Sequence, residues 1–421
     1  MKLKKIGGET KNVDIRTPLP MQYLGGKGRI VLDILKEIGT NFREQNTFID
    51  LFTGSGIVAH NALLKGYNVY ANDIQPYSSA LVKSLLTKTS KKIDEIVLTL
   101  TKLSPSNLFE DDRKKFYVEY LTENNYIKSL ESNLFDWKAY QLFCDNSQLI
   151  DGSETEVTRL QKEEKWTLFL SYYRNTYFGI KQCAEIDYLR ELAESLDEQS
   201  KNHLLAAVIS SLTYSSSSTT HLAQYLKPTT EKNTINLLKK RSLSIVSLVI
   251  DRLRNISKSE IINEGKVYNY DFRDALEKLQ VDKSCIVYAD PPYFKEHYSR
   301  YYHILDTFVL YDYPTLTYNH LLKKTTIGRY RSERIVSDFG KKSLVRNAFN
   351  ILLKSCKTKG NVLAISYACS SLVEKDFFVV SAKELGLKLN IVEFNLTHSG
   401  QGMSRHKDVT EYLFLFSHDN I

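Results

Sequence analysis

The feature that most restricts the fold is a strand, a glycine turn, a helix and a second strand, all within residues 47–73. Residues 47–52 (TFIDLF) are apolar enough for a buried strand, and 53–56 (TGSG) form a tight turn. A helix is predicted over 57–64 and a second strand over 68–71. This order opens a doubly wound α/β unit, so the sequence predicts a Rossmann-like parallel sheet.

The glycines and acids of this unit indicate what it binds. Gly54 and Gly56 allow a ligand to approach the backbone closely, and Asp50 can reach polar groups at the strand tip. Asp73, about twenty residues further on, stands where an acid grips ribose hydroxyls, although a solvated acid at a strand end is the alternative. The fingerprint Gly-x-Gly-x-x-Gly is incomplete because residue 59 is alanine. A nucleoside-containing cofactor is therefore predicted, but not hydride chemistry.

A second glycine-rich turn, Tyr23-Leu24-Gly25-Gly26-Lys27, precedes an amphipathic helix predicted over 30–38. Glycines before a helix let the backbone approach an anion, while Lys27 and the helix N-terminus add positive potential. An ordinary glycine-rich turn is the alternative interpretation.

The tetrad Asp290-Pro291-Pro292-Tyr293 follows an apolar run, 285–289, that predicts a buried strand. Neither proline has an N–H to give to a ladder, so the tetrad forms a rigid loop where the strand ends. The loop presents a carboxylate, a backbone carbonyl and an aromatic face. These groups suit a flat ligand that carries an amine, whereas a plain Pro-Pro turn is the alternative.

Residues 78–264 interrupt the α/β pattern with helical sequence that is poor in glycine and proline. We therefore expect an inserted, mainly helical domain between two catalytic segments, 1–77 and 265–421. Long helices are predicted in the insert over 78–103, 161–173 and 234–254. The first 17 residues are predicted to be a loosely packed arm, and the last two strands are predicted to form an antiparallel hairpin.

Two aromatic and basic stretches of the insert, and one basic loop beyond the tetrad, are the candidate nucleic-acid contacts. Cations suit phosphates and aromatic rings suit bases, although a packed aromatic core with surface charges explains any single residue equally well. The net charge of +8 permits a polyanionic partner without demanding one. The residues chosen are Arg174, Tyr177, Lys227, Arg329 and Arg331.

Several classes of protein are disfavoured by composition. Five scattered cysteines, without a Cys-x-x-Cys pair or a Cys/His cluster, argue against a disulfide framework and against a metal site, and they fit a reducing cytoplasm. The first residues lack the apolar segment of a secretory signal, and there is no apolar run long enough to span a membrane. We expect a cytoplasmic location and no membrane partner.

Taken together, the motifs resemble those of the Dam-like DNA adenine-N6 methyltransferases. Their order along the chain, with cofactor motifs first, the insert next and the tetrad last, resembles that of the alpha group. The resemblance covers residues 20–77 and 265–417, and the insert corresponds to the family's target-recognition region in position only. It implies a Rossmann-like S-adenosylmethionine-dependent methyltransferase fold with a large helical insert. The matched motifs are 23–27, 50–56, Asp73, Asp271 and 290–293.

The resemblance also implies an activity and partners. The activity is methylation of the exocyclic N6 amine of an adenine flipped out of duplex DNA, which serves restriction–modification or phage-related methylation. Double-stranded DNA is the implied partner, and any restriction endonuclease would be a separate chain. The sequence predicts neither the recognition site nor the oligomeric state.

Individual roles follow from the same resemblance. The catalytic residues are Asp290, Pro291, Pro292 and Tyr293, with Asp290 and the Pro291 carbonyl accepting hydrogen bonds from the amine and Tyr293 stacking on the base. Lys27 lies beside the methionine moiety of the cofactor, Asp73 binds its ribose and Asp271 faces its adenine. The residues implied to bind S-adenosyl-L-methionine are Tyr23, Gly25, Gly26, Lys27, Asp50, Phe52, Thr53, Gly54, Ser55, Gly56, Asp73, Ile74, Asp271 and Phe272.

Alternatives stay open at this point. Methylation of cytosine carbon-5 is rejected because Cys285 lies inside a strand and lacks a preceding proline. The amine of cytosine is harder to exclude, although an aspartate at position 290 favours adenine. The other candidates are an enzyme that methylates an amine in RNA or protein, and a non-catalytic DNA-binding subunit.

Overall fold

The structure is a computed structural model, and the residues that it describes include ten strands. It describes residues 2–6, 17–132, 135–163, 165–219, 221–279, 285–292, 298–319, 321, 324–399 and 406–418. In chain order the strands are β1 (Lys2–Ile6), β2 (Thr47–Asp50), β3 (Asn68–Asn72), β4 (Lys266–Tyr268), β5 (Ile286–Ala289), β6 (Tyr318–Asn319), β7 (Lys324–Thr325), β8 (Val362–Ala368), β9 (Lys388–Ser399) and β10 (His406–Ser417).

Eight of these strands form one sheet in the spatial order β1-β9-β10-β8-β5-β2-β3-β4, while β6 and β7 form a separate hairpin. β10 runs antiparallel to β8 and β9, and the other neighbouring pairs in the sheet are parallel. The fold is therefore a mixed α/β fold with a mostly parallel sheet, and the predicted terminal hairpin is confirmed. The predicted loose arm is wrong for residues 2–6, because they form β1 and pair with β9.

The helices lie on both faces of the sheet and in a separate helical region. They are α1 (Val31–Asn41), α2 (Ile57–Leu64), α3 (Pro76–Leu85), α4 (Ile93–Thr101), α5 (Pro105–Leu108), α6 (Tyr117–Ser129), α7 (Trp137–Asp145), α8 (Glu154–Glu163), α9 (Leu168–Tyr172), α10 (Ile180–Glu194), α11 (Glu198–Ser215), α12 (Glu231–Arg241), α13 (Ile245–Ser257), α14 (Phe272–Lys278), α15 (Tyr298–Leu310), α16 (Val345–Thr358) and α17 (Lys375–Glu384). Within the described part of the chain, none of them combines the length and apolar character needed to cross a membrane.

The sheet lies between two layers of helices. β5 and β8 are buried at every position, as expected for parallel strands that are covered on both faces. One face packs against α14, α16 and α17, where Phe349 and Phe378 are fully buried. The other face packs against α1 and α2 through residues such as Ile34 and Val58.

The direction in which successive strands are added to the sheet reverses at β2. From β2 the chain goes outward to β3 and β4, and it then returns to place β5 on the other side of β2. Asp50 at the end of β2 pairs with Tyr288 of β5, so the carboxyl ends of the two strands lie side by side. Ligands of open α/β sheets bind in the crevice at such a reversal.

A third hydrophobic core holds the helical region together. It includes buried residues of α3–α6, α8–α11 and α13, and also Tyr302, Leu305 and Phe308 of α15, which follows the tetrad in sequence. The predicted domain boundary at 77/78 falls inside α3. The helical region thus draws on chain segments from both sides of the predicted boundaries, and the division into domains stays a prediction.

The three long helices predicted in the insert are wrong in their extents, because each is two helices. The clearest case is 234–254, which divides into α12 and α13. Ser244 caps α13 by accepting a hydrogen bond from the Ser247 N–H at 3.2 Å. Glu185 of α10 accepts the Ile245 N–H at 2.7 Å. A side chain from another helix therefore stabilises a helix start inside a stretch that looks continuous in sequence.

Candidate active site

A cleft opens at the carboxyl ends of β2, β3 and β5. The predicted motifs converge on it, and the predicted residues that line it are Tyr23, Gly25, Gly26, Lys27, Asp50, Phe52, Thr53, Gly54, Ser55, Asp73, Ile74, Asp290 and Pro292. Among the described residues, no group of three His, Cys, Asp or Glu side chains is placed to hold a metal ion.

The glycine turn after β2 is fixed by its position against two other segments. Gly54 has a φ of +53°, which a residue with a side chain rarely adopts. A Cβ at this position would lie 2.7 Å from the Tyr23 hydroxyl oxygen. The Gly54 N–H donates to Asp73 Oδ2 at 2.8 Å, and the Ser78 hydroxyl donates to the Gly54 carbonyl at 2.7 Å. Glycine is therefore required by both the backbone conformation and the close approach of Tyr23.

Asp73 joins the ends of β2 and β3. Besides the Gly54 bond, its Oδ1 accepts the Gln75 N–H at 2.9 Å. Burial raises the pKa of Asp73, and hydrogen bonds from Gln75, Gly54, Ser78 and Ile74 oppose that shift. A carboxylate oxygen has more than one acceptor site, so these bonds leave capacity for the hydroxyls of a ligand.

The turn that contains Tyr23 and Lys27 is held by α15. The Tyr23 ring stacks on Tyr302, with ring centroids 5.2 Å apart and planes 9° from parallel. The Leu24 N–H donates to the Tyr302 hydroxyl at 2.8 Å. One helix of the helical core therefore positions a wall of the cleft.

At the base of the cleft, one ammonium group contacts two carboxylates. Lys27 Nζ lies 2.9 Å from Asp290 Oδ1 and 3.1 Å from Glu411 Oε1. The side chains of Lys27 and Glu411 are each 4% exposed, whereas that of Asp290 is 18% exposed. The Ser366 hydroxyl donates to Glu411 Oε1 at 2.8 Å. Asp290 is thus the member of this ion-pair chain that is most open to a ligand.

Burial sets the protonation of the acids in the cleft. It raises the pKa of Asp290 to about 6; Lys27 opposes this shift and Glu411 adds to it. Burial, followed by the nearby Asp290 carboxylate, raises the pKa of Asp50 to about 8. Asp50 Oδ2 accepts a hydrogen bond from the Thr53 hydroxyl at 3.2 Å. Near neutral pH, Asp290 is therefore mainly ionised, while Asp50 is mainly protonated.

Four predicted site residues are described but do not line the cleft. Gly56, with a φ of +77°, begins α2, and a Cβ there would lie 2.8 Å from Leu85 and Val82 side-chain atoms. Asp271 caps α14 and pairs with Arg273 at 3.2 Å. Phe272 packs behind the cleft wall, with its ring centroid 6.1 Å from that of Phe52. Pro291 is buried next to the lining residues Asp290 and Pro292. Tyr293 lies outside the described residues.

Four of the five predicted DNA contacts are buried in this structure, and their role in DNA binding stays a prediction. Arg331 makes a two-pronged ion pair with Asp312 at 2.7 and 2.6 Å. The other three also bond to protein groups: Arg174 to Glu119 at 2.9 Å, Arg329 to the Ile150 carbonyl at 2.6 Å and Tyr177 to the Gly328 carbonyl at 3.0 Å.

These four side chains pack inside the helical region, and each makes at least one hydrogen bond to another protein group. Lys227 differs because it is exposed, and its DNA contact stays a prediction.

The structure adds lining residues that the sequence did not single out. Tyr298 and Ser299 come from the start of α15, while Ile335, Ser337 and Gly340 come from a later loop. Glu411 of β10 is linked to the site by its ion pair with Lys27. The aromatic residues at 298–302 stand out in the sequence, but no function was predicted for them. The loop at 335–340 and Glu411 carried no motif that could have identified them.

Comparisons with known proteins agree with this geometry. A family model described as D12 class N6 adenine-specific DNA methyltransferase matches residues 23–147 and 138–361. The Type II methyltransferase M.FokI of Planomicrobium okeanokoites is 25% identical over 410 residues, which cover 95% of this chain and 53% of that protein.

Two further relatives have similar identity but different lengths. Modification methylase StsI of Streptococcus sanguinis is 22% identical over 405 residues, covering 94% of this chain and 51% of that protein. Type II methyltransferase M.CviAII of Paramecium bursaria Chlorella virus 1 is 24% identical over 400 residues, covering 93% and 97%. The chain thus spans about half the length of M.FokI and StsI.

Proposed function

Since the chain belongs to the D12 class of N6 adenine-specific DNA methyltransferases, we propose that it transfers a methyl group from S-adenosylmethionine to the N6 amine of adenine at specific sites in duplex DNA. One observation carries the proposal. Asp290, the acid of the proline tetrad, lines the same cleft as Lys27, Gly54 and Asp73. A group suited to an amine therefore faces a site suited to a nucleoside. The position of that site, at the chain reversal beside β2, supports a Rossmann-like methyltransferase fold.

The residues of the cleft fit S-adenosylmethionine. Asp73 has acceptor capacity for ribose hydroxyls, and Gly54 lines the cleft without a side chain. Asp50 Oδ1 is buried without a hydrogen bond among the described residues, so it can accept one from a ligand. The ionised Asp290 carboxylate lines the cleft, which favours a ligand with positive charge. When bound, S-adenosylmethionine supplies a methyl group activated by a positively charged sulfur.

Asp290 and Pro291 perform the chemistry on the acceptor. The lone pair of the adenine amine is delocalised into the ring, which makes the nitrogen a poor nucleophile. The Asp290 carboxylate and the Pro291 carbonyl accept hydrogen bonds from the two amine hydrogens, and they orient the nitrogen lone pair out of the ring plane. Such preorganised acceptors act through positioning and electrostatics. The amine is out of reach inside a duplex, so the base must rotate out of the helix.

We assign the activity to restriction–modification or phage-related methylation. StsI is named a modification methylase and M.FokI a Type II methyltransferase. In such a setting methylation marks sites that a restriction endonuclease on a separate chain would otherwise cut. Lys227, which is exposed in the helical region, is our candidate for a phosphate contact.

The test uses S-adenosylmethionine labelled on its methyl group and mixed-sequence duplex DNA. We expect label in N6-methyladenine, confined to one short sequence motif. Asp290→Ala should lower the rate by about 10³-fold or more, because it removes an acceptor that acts in the transition state. Binding of the cofactor and of DNA should fall far less. The measurement is the initial rate of label transfer, followed by nucleoside identification and mapping.

Asp274→Ala is the matched control, because it removes a carboxylate of α14 that is 52% exposed and pairs only with Lys278 among the described residues. It should retain the wild-type rate. Label in cytosine, RNA or protein instead of DNA adenine would contradict the proposed substrate. A fully active Asp290→Ala would remove Asp290 from the catalytic role.

A further inference from the structure

We propose that Glu411 is a positioning residue for methyl transfer. It pairs with the Lys27 ammonium, which is then shared between Glu411 and Asp290, so that Asp290 keeps acceptor capacity for the substrate amine. This inference rests on the proposed function, since it concerns the same cleft. Glu411 lies beyond residue 361, where the family match ends. It was not among the residues predicted from sequence.

The hairpin of β9 and β10 places Glu411 against the cleft. Glu411 pairs in register with Phe394, whose side chain lies on the sheet face covered by α1 and α2. Lys27 precedes α1 on that same face, and its Nζ reaches Glu411 Oε1 at 3.1 Å. Ser366 of the neighbouring strand β8 donates to the same oxygen at 2.8 Å. Two donors therefore hold a carboxylate that is almost fully buried.

The position of Lys27 between two carboxylates determines what Asp290 can do. Lys27 lies 2.9 Å from Asp290 Oδ1, so its ammonium competes with the substrate amine for that carboxylate. Glu411 draws the same ammonium in another direction. If Glu411 lost its charge, Lys27 would pair more strongly with Asp290. The amine would then find a weaker acceptor.

Glu411 also bears on the charge of Asp290. The nearest oxygens of the two carboxylates are at most about 6 Å apart, because both contact the one Lys27 nitrogen, and a negative charge at such a separation raises the pKa of Asp290. The titratable groups that act on Asp290 are Lys27 and Glu411, and Asp290 in turn acts on Asp50 and Tyr288. Loss of the Glu411 charge should therefore lower the pKa of Asp290 from its value of about 6.

The test compares Glu411→Gln with wild type over a range of pH, because glutamine keeps an acceptor for Ser366 while removing the charge. We expect kcat on duplex DNA to fall about tenfold on the alkaline plateau, and its acidic limb to move about one unit to lower pH. The second readout is the Kd of S-adenosylmethionine, measured by calorimetry without DNA. Its acidic inflection should move in the same direction, because an ionised Asp290 favours a cationic ligand.

Glu393→Gln is the matched control. Glu393 lies on the opposite face of the same hairpin, where it pairs with Lys375 at 3.0 Å. It should leave both inflections in place. A lower plateau in Glu411→Gln without a shift of either inflection would mean that Glu411 only supports the fold, and it would overturn the inference. So would an unchanged profile.

The inference and the proposed function fail in different ways. If wild-type protein methylated no DNA but the Kd inflection still moved in Glu411→Gln, the proposed substrate would be wrong and the role of Glu411 in setting the Asp290 charge would stand. If DNA were methylated and neither inflection moved, the function would stand and the role of Glu411 would be refuted.

Discussion

Lys27 in the cleft and Arg241 in the helical region are both buried cations, but they differ in what surrounds them. Lys27 pairs with Asp290, whose carboxylate lines a cavity. Arg241 is fully buried, lies 3.8 Å from the buried Glu123 and donates to the Tyr140 hydroxyl at 2.5 Å and the Thr176 carbonyl at 3.0 Å. The first pair can act on a ligand, whereas the second is enclosed by protein.

The difference shows that burial of a charge does not by itself mark a functional site. Glu123 accepts hydrogen bonds from the Tyr140 hydroxyl at 3.2 Å and the Ile180 N–H at 2.6 Å, so both of its oxygens are engaged. Such a network fixes α6, α7 and α12 relative to one another. An enclosed pair is costly to break because one charge is left buried, while a pair beside a cavity can be met by water or ligand.

Arg241→Met gives the largest expected effect on stability. We expect a loss of about 3–5 kcal/mol in the free energy of unfolding, because Glu123 would be left buried without a counter-charge. The double variant Arg241→Met/Glu123→Gln should recover part of that loss. Tryptophan fluorescence during denaturant unfolding is a suitable readout, because Trp137 and Trp166 both lie in the helical region.

Arg159→Met is the control for this prediction. Arg159 pairs with Glu163 at 2.9 Å, but the two side chains are 48% and 59% exposed. Its loss should cost only about 0.5 kcal/mol or less. If Arg241→Met cost no more than Arg159→Met, the enclosed pair would not be a structural anchor and the contrast with Lys27 would fail.

The same contrast explains what sequence could predict. The acids and glycines of the cleft stand where strands end, and short loops keep them next to the strands that position them; Asp50, Asp73 and Asp290 were found in this way. Arg329 and Arg331 have the composition of a DNA contact. Their burial depends on partners elsewhere in the chain, such as Asp312, that no local pattern reveals. Glu411 was missed for the same reason, since its link to Lys27 exists only once β10 is placed in the sheet.

Gly54→Ala tests the cleft side of the comparison. The added Cβ would meet the Tyr23 hydroxyl at 2.7 Å and disturb the Gly54–Asp73 hydrogen bond. We expect the Kd of S-adenosylmethionine to rise about tenfold or more, which corresponds to about 1.4 kcal/mol. Calorimetric titration of the cofactor measures this change.

Gly66→Ala is the control that separates the effect of the contact with Tyr23 from the effect of backbone strain. Gly66 also has a positive φ, +90°, but a Cβ there would have no neighbour within 4 Å. It should lose about 1–2 kcal/mol of stability through strain alone and bind the cofactor normally. Equal Kd values for the two variants would show that the approach of Tyr23 to Gly54 does not shape the cofactor site.

The smallest expected effect concerns the surface charges of the helical region. Lys227→Ala should reduce the slope of log affinity for DNA against log salt by about one, because an exposed phosphate contact is lost. Arg331→Ala should leave the slope unchanged and lower the unfolding midpoint, because Arg331 is held by Asp312 at 2.6 Å and is 10% exposed. Fluorescence anisotropy of a labelled duplex over a range of KCl concentrations measures both slopes.

The two slopes decide between opposite accounts of the helical region. If Arg331→Ala reduced the slope as Lys227→Ala does, Arg331 would have to leave Asp312 when DNA binds. Buried cations of the helical region would then contact a ligand, as the buried cation Lys27 does in the cleft. If neither variant changed the slope, DNA would contact other cations. A smaller slope in Lys227→Ala alone would mean that the enclosed cations stabilise the fold and that the exposed ones contact DNA.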